Sequence, residues 1–212
     1  MVALVTQREH LDVHGQSIDS IEHNYLQYLK ARGIDHILVS NLQSDLNAFI
    51  IKTAPDLIVL TGGGEVSTDL SSARDQIEGR LLELAISTKI PLLGICRGLQ
   101  LINAYFGGAC VELESIDSKG QLKPRQRYKA ITTPEFVEKM DTEFTITSYN
   151  NQGILVDDLG DGLIATSSAL DYPELVTSVK LANANVWGTI WHPERTGAPT
   201  QIDDLIFQCL LT

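Results

Sequence analysis

The sequence predicts an α/β protein: a mostly parallel open sheet with helices on both faces, plus a smaller antiparallel strand region toward the end of the chain. Three observations carry this reading. Up to Phe106, short apolar runs alternate with segments in which apolar residues recur at helical spacing. Such βαβ alternation gives a parallel sheet whose crossovers are right-handed and whose faces are both covered. After Gly107-Gly108 the apolar runs shorten and alternate, separated by turn residues, as antiparallel pairing requires.

Taken in order, Val2 to Thr6 reads as a buried strand. Gln7 to Gln16 reads as a polar connection at its carboxyl end, and Ile18, Ile21, Tyr25, Leu26 and Leu29 as a helix that stops at Gly33. Ile34 to Val39 is the next strand, Leu46 to Ile51 a helix, Leu57 to Leu60 a strand before Gly62-Gly63-Gly64, and Ser72 to Thr88 a helix. Leu92 to Ile95 reads as a strand, and from Arg97 the spacing of Leu99, Ile102, Tyr105 and Phe106 is helical. Strand-like runs follow at Ala109 to Leu113, Phe144 to Thr147, Leu163 to Ser167, Val176 to Leu181 and Val186 to Trp191, and the chain closes on a helix carrying Ile202, Leu205, Ile206 and Cys209. Cys209 and Cys110 read as core residues. No repeat or linker-like composition divides the 212 residues, so a single domain, 1–212, is expected.

Composition narrows the function classes. Apolar content of 43% and charged content of 20% are those of a globular protein. A formal net charge of −11 argues against nucleic acid and anionic membrane as partners, because the summed field repels both. No run approaches the roughly eighteen apolar residues of a membrane span. Met1 to Thr6 lacks the basic flank and the length of a signal sequence, and three cysteines make no disulfide framework, so a cytoplasmic location is expected. No Cys or His stands at zinc-site spacing, and His10 and His14 read as solvated loop residues, so no metal is expected.

The chemistry concentrates at Cys96. It sits where the strand ends and the helix begins, between Gly94 and Gly98, in the G-x-C-x-G pattern of a nucleophile elbow. Such a turn projects its side chain into the crevice beyond the strand's carboxyl end. The helix N-terminus then favours thiolate and offers the Arg97 amide to a developing oxyanion. The competing reading is a small cysteine packed as a hydrophobe. Gly62-Gly63-Gly64 admits a plain turn, a backbone-amide site, or a phosphate loop, although no G-K-S/T follows. His192 ends the Val186 to Trp191 strand, and in extended chain Glu194 points the same way. One imidazole nitrogen can thus bind the carboxylate while the other faces Cys96, the arrangement of a nucleophile, base and orienting acid. A surface His-Pro-Glu turn is the alternative.

Together, Gly94-Ile95-Cys96-Arg97-Gly98-Leu99-Gln100, Leu60-Thr61-Gly62-Gly63-Gly64 and Trp191-His192-Pro193-Glu194 resemble the class I glutamine amidotransferase family in its motif order, and the Cys-Arg-Gly-Leu-Gln form resembles the γ-glutamyl hydrolase branch. The resemblance implies a flavodoxin-like fold and a Cys96–His192–Glu194 triad. It also implies an oxyanion hole from the Gly63 and Arg97 amides, and no cofactor. It further implies that Gln100 and the backbone at Ser148 and Tyr149 hold a glutamyl head group. Where relatives often read Ser-x-His-His-Gln, this chain has Ser148-Tyr149-Asn150-Asn151-Gln152, so no role of those histidines carries over.

The implied activity is hydrolysis of a small-molecule γ-glutamyl amide through a thioester on Cys96. Rival readings are a glutaminase subunit passing ammonia to a separate synthase partner and a catalytically silent binding module. The leaving group is either a simple amine such as γ-aminobutyrate or a phosphate- or nucleotide-bearing group. The second option rests on Lys119 to Lys129, where five basic residues fall in a chain of opposite net charge. Either that run is a solvated loop, or Arg125 and Arg127 grip an anion with Tyr128 stacked on a base.

Overall fold

The computed structural model describes residues 1–116, 125–133, 136, 143–195, 197–198 and 200–211. The first half is a βαβ succession: β1 Val2–Thr6, α1 His23–Ala31, β4 Asp35–Val39, α2 Leu46–Thr53, β5 Leu57–Leu60, α3 Ala73–Thr88, β6 Leu92–Ile95 and α4 Arg97–Tyr105. A hairpin of β2 Arg8–Leu11 and β3 Ser17–Ser20 is inserted after β1. The second half adds β7 Val111–Glu112, α5 Leu113–Ile116, β8 Arg127–Thr132, β9 Glu143–Thr147, β10 Gln152–Leu155, β11 Leu163–Ala169, β12 Tyr172–Leu181, β13 Val186–Thr189 and α6 Thr200–Leu210.

The main sheet runs β4-β1-β5-β6-β13-β12-β11-β8-β9. Its members from β4 to β13 are parallel, and from β12 onward the pairing is antiparallel. The parallel strands β5 and β6 are buried along their whole length, which is why they read as unbroken apolar runs. Helices cover two faces: Tyr28 of α1 meets Phe207 of α6 edge-on at 5.8 Å, while α2, α3 and α4 pack in sequence on one another. Strand order reverses at β1, which has β4 on one side and β5 on the other, so the crevice beyond the carboxyl ends of β1 and β5 is where such a sheet takes ligands.

Helix starts follow local chemistry. Ser72 caps α3 by accepting from the Asp75 amide, and Asp45 caps α2 by accepting from Ala48. Helix α4 packs on the strands backbone to backbone. A Cβ at Gly98 would lie 2.4 Å from the Leu60 carbonyl oxygen, and one at Gly94 would lie 2.7 Å from the Gly98 carbonyl. Only glycine fits at this contact.

Several expectations are corrected. Residues 7–16 are not a simple connection: Arg8 to Leu11 pairs with Ser17 to Ser20, and Asp12 accepts from the amides of His14 and Gln16 to close the turn, with Gly15 at φ 76°. Helix α1 therefore begins at His23, and Ile18 lies in β3. The run at Ala109 to Leu113 shrinks to Val111–Glu112 before a helical turn. Strand β13 stops at Thr189, where the Thr189 hydroxyl turns onto the Trp191 carbonyl. β8 and β10 had no apolar run strong enough to mark them. Cys110 and Cys209 are half-buried against the core rather than within it. Of the basic run, residues 119–124 lie outside the described residues, and Arg127 to Lys129 belong to β8 rather than to a loop.

The Gly98 contact sets a stability expectation. Gly98→Ala should lower unfolding free energy by about 3 kcal/mol, because neither backbone can yield. Gly33→Ala, at φ 70° with open space around it, should cost only about 1 kcal/mol. Urea titration of the two variants beside the parent measures both.

Candidate active site

Cys96 occupies the turn between β6 and α4 with φ 54° and ψ −102°, a conformation few non-glycine residues adopt. It is held there: its amide donates to Thr189 of β13 at 2.7 Å, and its carbonyl accepts from Gln100 at 3.1 Å as the first helical bond. No side chain caps α4, so the first amides of the helix remain for the site. Cys96 is 7% exposed and lines a cavity of about 470 Å³ together with Gly63, Gly64, Gln100, Tyr149 and His192.

His192 and Glu194 come from the segment just beyond β13, not from the strand itself. His192 Nδ1 donates to Glu194 Oε1 at 2.6 Å, which leaves Nε2 for Cys96. Burial works against a charged ring here. Hydrogen bonds with Cys96 and Glu194 outweigh it and raise the His192 pKa to about 9. The segment is anchored by Trp191, whose indole donates to Asp203 of α6 at 2.7 Å; burial pushes that carboxyl up to about 7. Tyr149 stands edge-on to the His192 ring at 5.3 Å, and the Arg195 guanidinium lies over the Tyr149 ring at 4.3 Å.

The glycine loop after β5 comes within van der Waals range of both catalytic candidates. A Cβ on Gly62 would sit 2.7 Å from His192 Cε1 and 3.3 Å from Cys96 Cβ. Gly63 and Gly64 have φ of 84° and 79°, a backbone region that disfavours side chains, and the Arg8 guanidinium lies where a Cβ on Gly63 would stand. The Gly62 amide donates to the Tyr25 hydroxyl at 2.8 Å, which also lies 3.4 Å from His192 Nδ1.

The remaining residues singled out from the sequence divide. Gln100 reaches the cavity, and its side-chain amide donates to the Gln152 carbonyl at 3.2 Å. Ser148 is fully buried and bonds Asn150 Oδ1 at 3.0 Å. Arg125, at φ 65°, is tied to Ser148 by its own amide and lines the cavity. Arg127 is exposed on β8 and does not line it, and Tyr128 turns onto the core instead of the cleft. Among the described residues no cluster of His, Cys, Asp and Glu could hold a metal ion.

Sequence reasoning missed the buried charges beneath the loop. Arg74, Asp75, Glu78 and Arg97 are nearly inaccessible and mutually paired: Arg97 with Asp75 and Glu78, Arg74 with Glu78 at 2.9 Å. The i,i+4 spacing of Arg74 and Glu78 was the available signal, but charged residues at that spacing on a helix read as a solvated face.

The His192 geometry makes a titration prediction. Its contribution to stability should be complete below about pH 6.5, the ordinary value, and should be lost as pH rises through about 9. In Cys96→Ala one of the groups that raise the ring's pKa is gone, so the imidazole should titrate at lower pH than in the parent. NMR of the ring protons across pH 5 to about 10 measures the difference.

The sequence profile described as "Glutamine amidotransferase class-I" matches residues 15–211. The glutamine amidotransferase-like protein YvdE of Lactococcus lactis is 30% identical over 177 residues, 74% of this chain and 73% of its own. The gamma-glutamyl-CDP-amidate hydrolase of Campylobacter jejuni is 30% identical over 152 residues, 70% of this chain and 66% of its own. The crystal structure of a glutamine amidotransferase from Thermotoga maritima superposes with a TM-score of 0.63 at 14% identity, covering 99% of this chain and 88% of that one. With the motif order, the sheet and the profile in agreement, the chain belongs to the class I glutamine amidotransferase family.

Proposed function

We propose that this chain is a cysteine-dependent hydrolase of γ-glutamyl amides. The observation that carries the reading is the meeting of Cys96, held at a left-handed strand-to-helix turn, with an imidazole already paired to Glu194, inside one cavity. Cys96 sulfur attacks the γ-carbonyl, and the C=O electron pair moves to an oxyanion that the Gly63 and Arg97 amides receive. As the C–N bond breaks, His192 gives its proton to the departing nitrogen, leaving a γ-glutamyl thioester. Water then attacks the thioester carbonyl while His192 takes its proton. The C–S bond breaks, glutamate leaves, and Glu194 stabilises the imidazolium in both halves.

The cavity suits more than glutamine. A volume of about 470 Å³ exceeds what a glutamyl group fills, and Arg125 and Arg195 are on its wall in a chain of net charge −11. Arg195 is engaged, pairing with Glu22 at 3.2 Å and covering Tyr149. Arg125 is on the same wall, its amide tied to the Ser148 carbonyl. An anionic leaving group bearing phosphate, of the kind named for the C. jejuni relative, offers this wall more charge and more acceptor oxygens than the single carboxylate of γ-aminobutyrate. A glutaminase subunit serving a separate synthase would use the same triad; free glutamine turned over only after another protein is added would favour it.

Cys96→Ala should abolish glutamate release, and a variant retaining a tenth of the parent rate would sink the assignment. Glu194→Gln should lose less, because it keeps an acceptor and removes only the charge. Mass spectrometry of acid-quenched enzyme should find the glutamyl adduct on the peptide containing Cys96. An adduct on Cys110 or Cys209 would mean that another thiol reacts.

The leaving-group proposal has its own test in Arg125→Ala. It should raise KM for a γ-glutamyl phosphoramidate by about tenfold or more and leave glutamine unaffected, as loss of a charge-assisted bond implies. Arg127→Ala, at a position outside the cavity wall, should move neither. Equal effects of Arg125→Ala on both substrates would return the simple amine to first place.

A further inference from the structure

We infer that Arg74 is a positioning residue for the oxyanion hole, acting through the glycine loop and touching no substrate. The inference rests on the hydrolase reading above. From α3, the Arg74 guanidinium donates to the Thr61 carbonyl and the Gly63 carbonyl at 2.6 Å each, to Thr61 Oγ1 at 3.1 Å, and approaches the Gly62 carbonyl at 3.5 Å. Successive carbonyls of one loop thus turn toward a single cation.

In a trans peptide the N–H points opposite to the C=O of the same unit, and no cis bond occurs in the described chain. The Gly62 carbonyl shares its unit with the Gly63 amide, and the Gly63 carbonyl shares its unit with the Gly64 amide. Turning both carbonyls onto Arg74 therefore turns both amides away from it, and Gly63 and Gly64 line the cavity. The preceding amide is already used, because Gly62 donates to Tyr25 at 2.8 Å. Arg74 on one side and Tyr25 on the other hold the loop with the Gly63 amide facing away from Arg74, and among the described residues that amide has no acceptor.

Arg74 is itself fixed. Its Nε donates to Glu78 Oε1 at 2.9 Å, Glu78 accepts from Thr6 Oγ1 at 2.7 Å, and Glu78 and Asp75 together hold Arg97, whose Nε donates to the Glu65 carbonyl at 3.1 Å. Arg97 also opens α4 and supplies the second amide of the hole. One buried network of two cations and two anions thus joins both ends of the loop to the residue after Cys96. Buried ion pairs of this kind add little net stability, since desolvation offsets the attraction. What this one provides is a fixed direction for two N–H groups.

The test separates chemistry that makes an oxyanion from chemistry that does not. Arg74→Lys keeps a cation opposite Glu78 but loses the fork that holds the carbonyls together. The rate of Cys96 acylation by γ-glutamyl-p-nitroanilide, with glutamine as second substrate, should fall about a hundredfold, while KM changes by less than about threefold. Alkylation of Cys96 by iodoacetamide displaces iodide at a saturated carbon with no oxyanion, so its rate should not change. Tyr25→Phe removes the acceptor of the Gly62 amide and should slow acylation by about tenfold; where Arg74→Lys does not fold, Arg74→Gln, which keeps one donor but not the fork, takes its place and should show the same split between acylation and alkylation. Acylation and alkylation lost in parallel, or acylation retained in the folded variants, overturns the inference. A parent that hydrolyses neither substrate overturns the hydrolase reading and this inference with it, a result distinct from an active parent with unaffected variants.

Discussion

The structure depends on how closely α4 approaches the strands beneath it. Gly98 sits against the Leu60 carbonyl and Gly94 against Gly98, so helix and sheet meet backbone to backbone with no side chain between them. At that distance the chain has no room for a gradual transition from strand to helix. The turn is compressed into Cys96, which takes φ 54° and is held by a 2.7 Å bond to Thr189. Local strain of roughly 1–3 kcal/mol is the cost, and the surrounding packing maintains it. What results is a thiol at a helix N-terminus, at the carboxyl edge of the sheet, aimed at whatever the neighbouring strands present.

Those neighbours supply the rest of the site from separate parts of the sequence. β5 leads into the glycine loop and β13 into the His192–Glu194 segment, and the two meet because β6 lies between their strands. The distance between Gly62 and His192 admits no side chain, so this juxtaposition also depends on glycine. Electrostatics then tune the assembly: hydrogen bonds to Cys96 and Glu194 overcome burial at His192, and beneath the loop two arginines neutralise two carboxylates out of reach of water.

Much of this was legible in order along the chain. The parallel strands announced themselves because strands buried on both faces must be apolar throughout. The elbow at Cys96 was legible because glycine spacing reports close approach. The His192–Glu194 pairing was legible from an i,i+2 offset, although its strand proved to end at Thr189 and a bend rather than an extended chain brings the two together. The hairpin at Arg8 to Ser20 was missed because its strands carry only Leu11 and Ile18 as apolar residues, both exposed, and its register comes from backbone pairing and the Asp12 turn. The basic run looked like a loop, but alternation places Arg127 and Lys129 outward and Tyr128 inward on an antiparallel strand.

The sequence by itself determined the alternation of elements, the position of the strand-to-helix turn and the chemical types at the site. These follow from hydrophobic period, from the conformational freedom of glycine and from local spacing, all of which act over a few residues. Tertiary structure alone decided which charges are buried, which basic residue faces the cavity, and which loop amides are free. Arg74 and Arg97 carry the same formal charge as Arg80 on the surface of α3, and nothing local distinguishes them. Their roles depend on partners tens of residues away, such as the Thr61 carbonyl, Glu65 and Thr6, and only the folded chain brings those within hydrogen-bond reach.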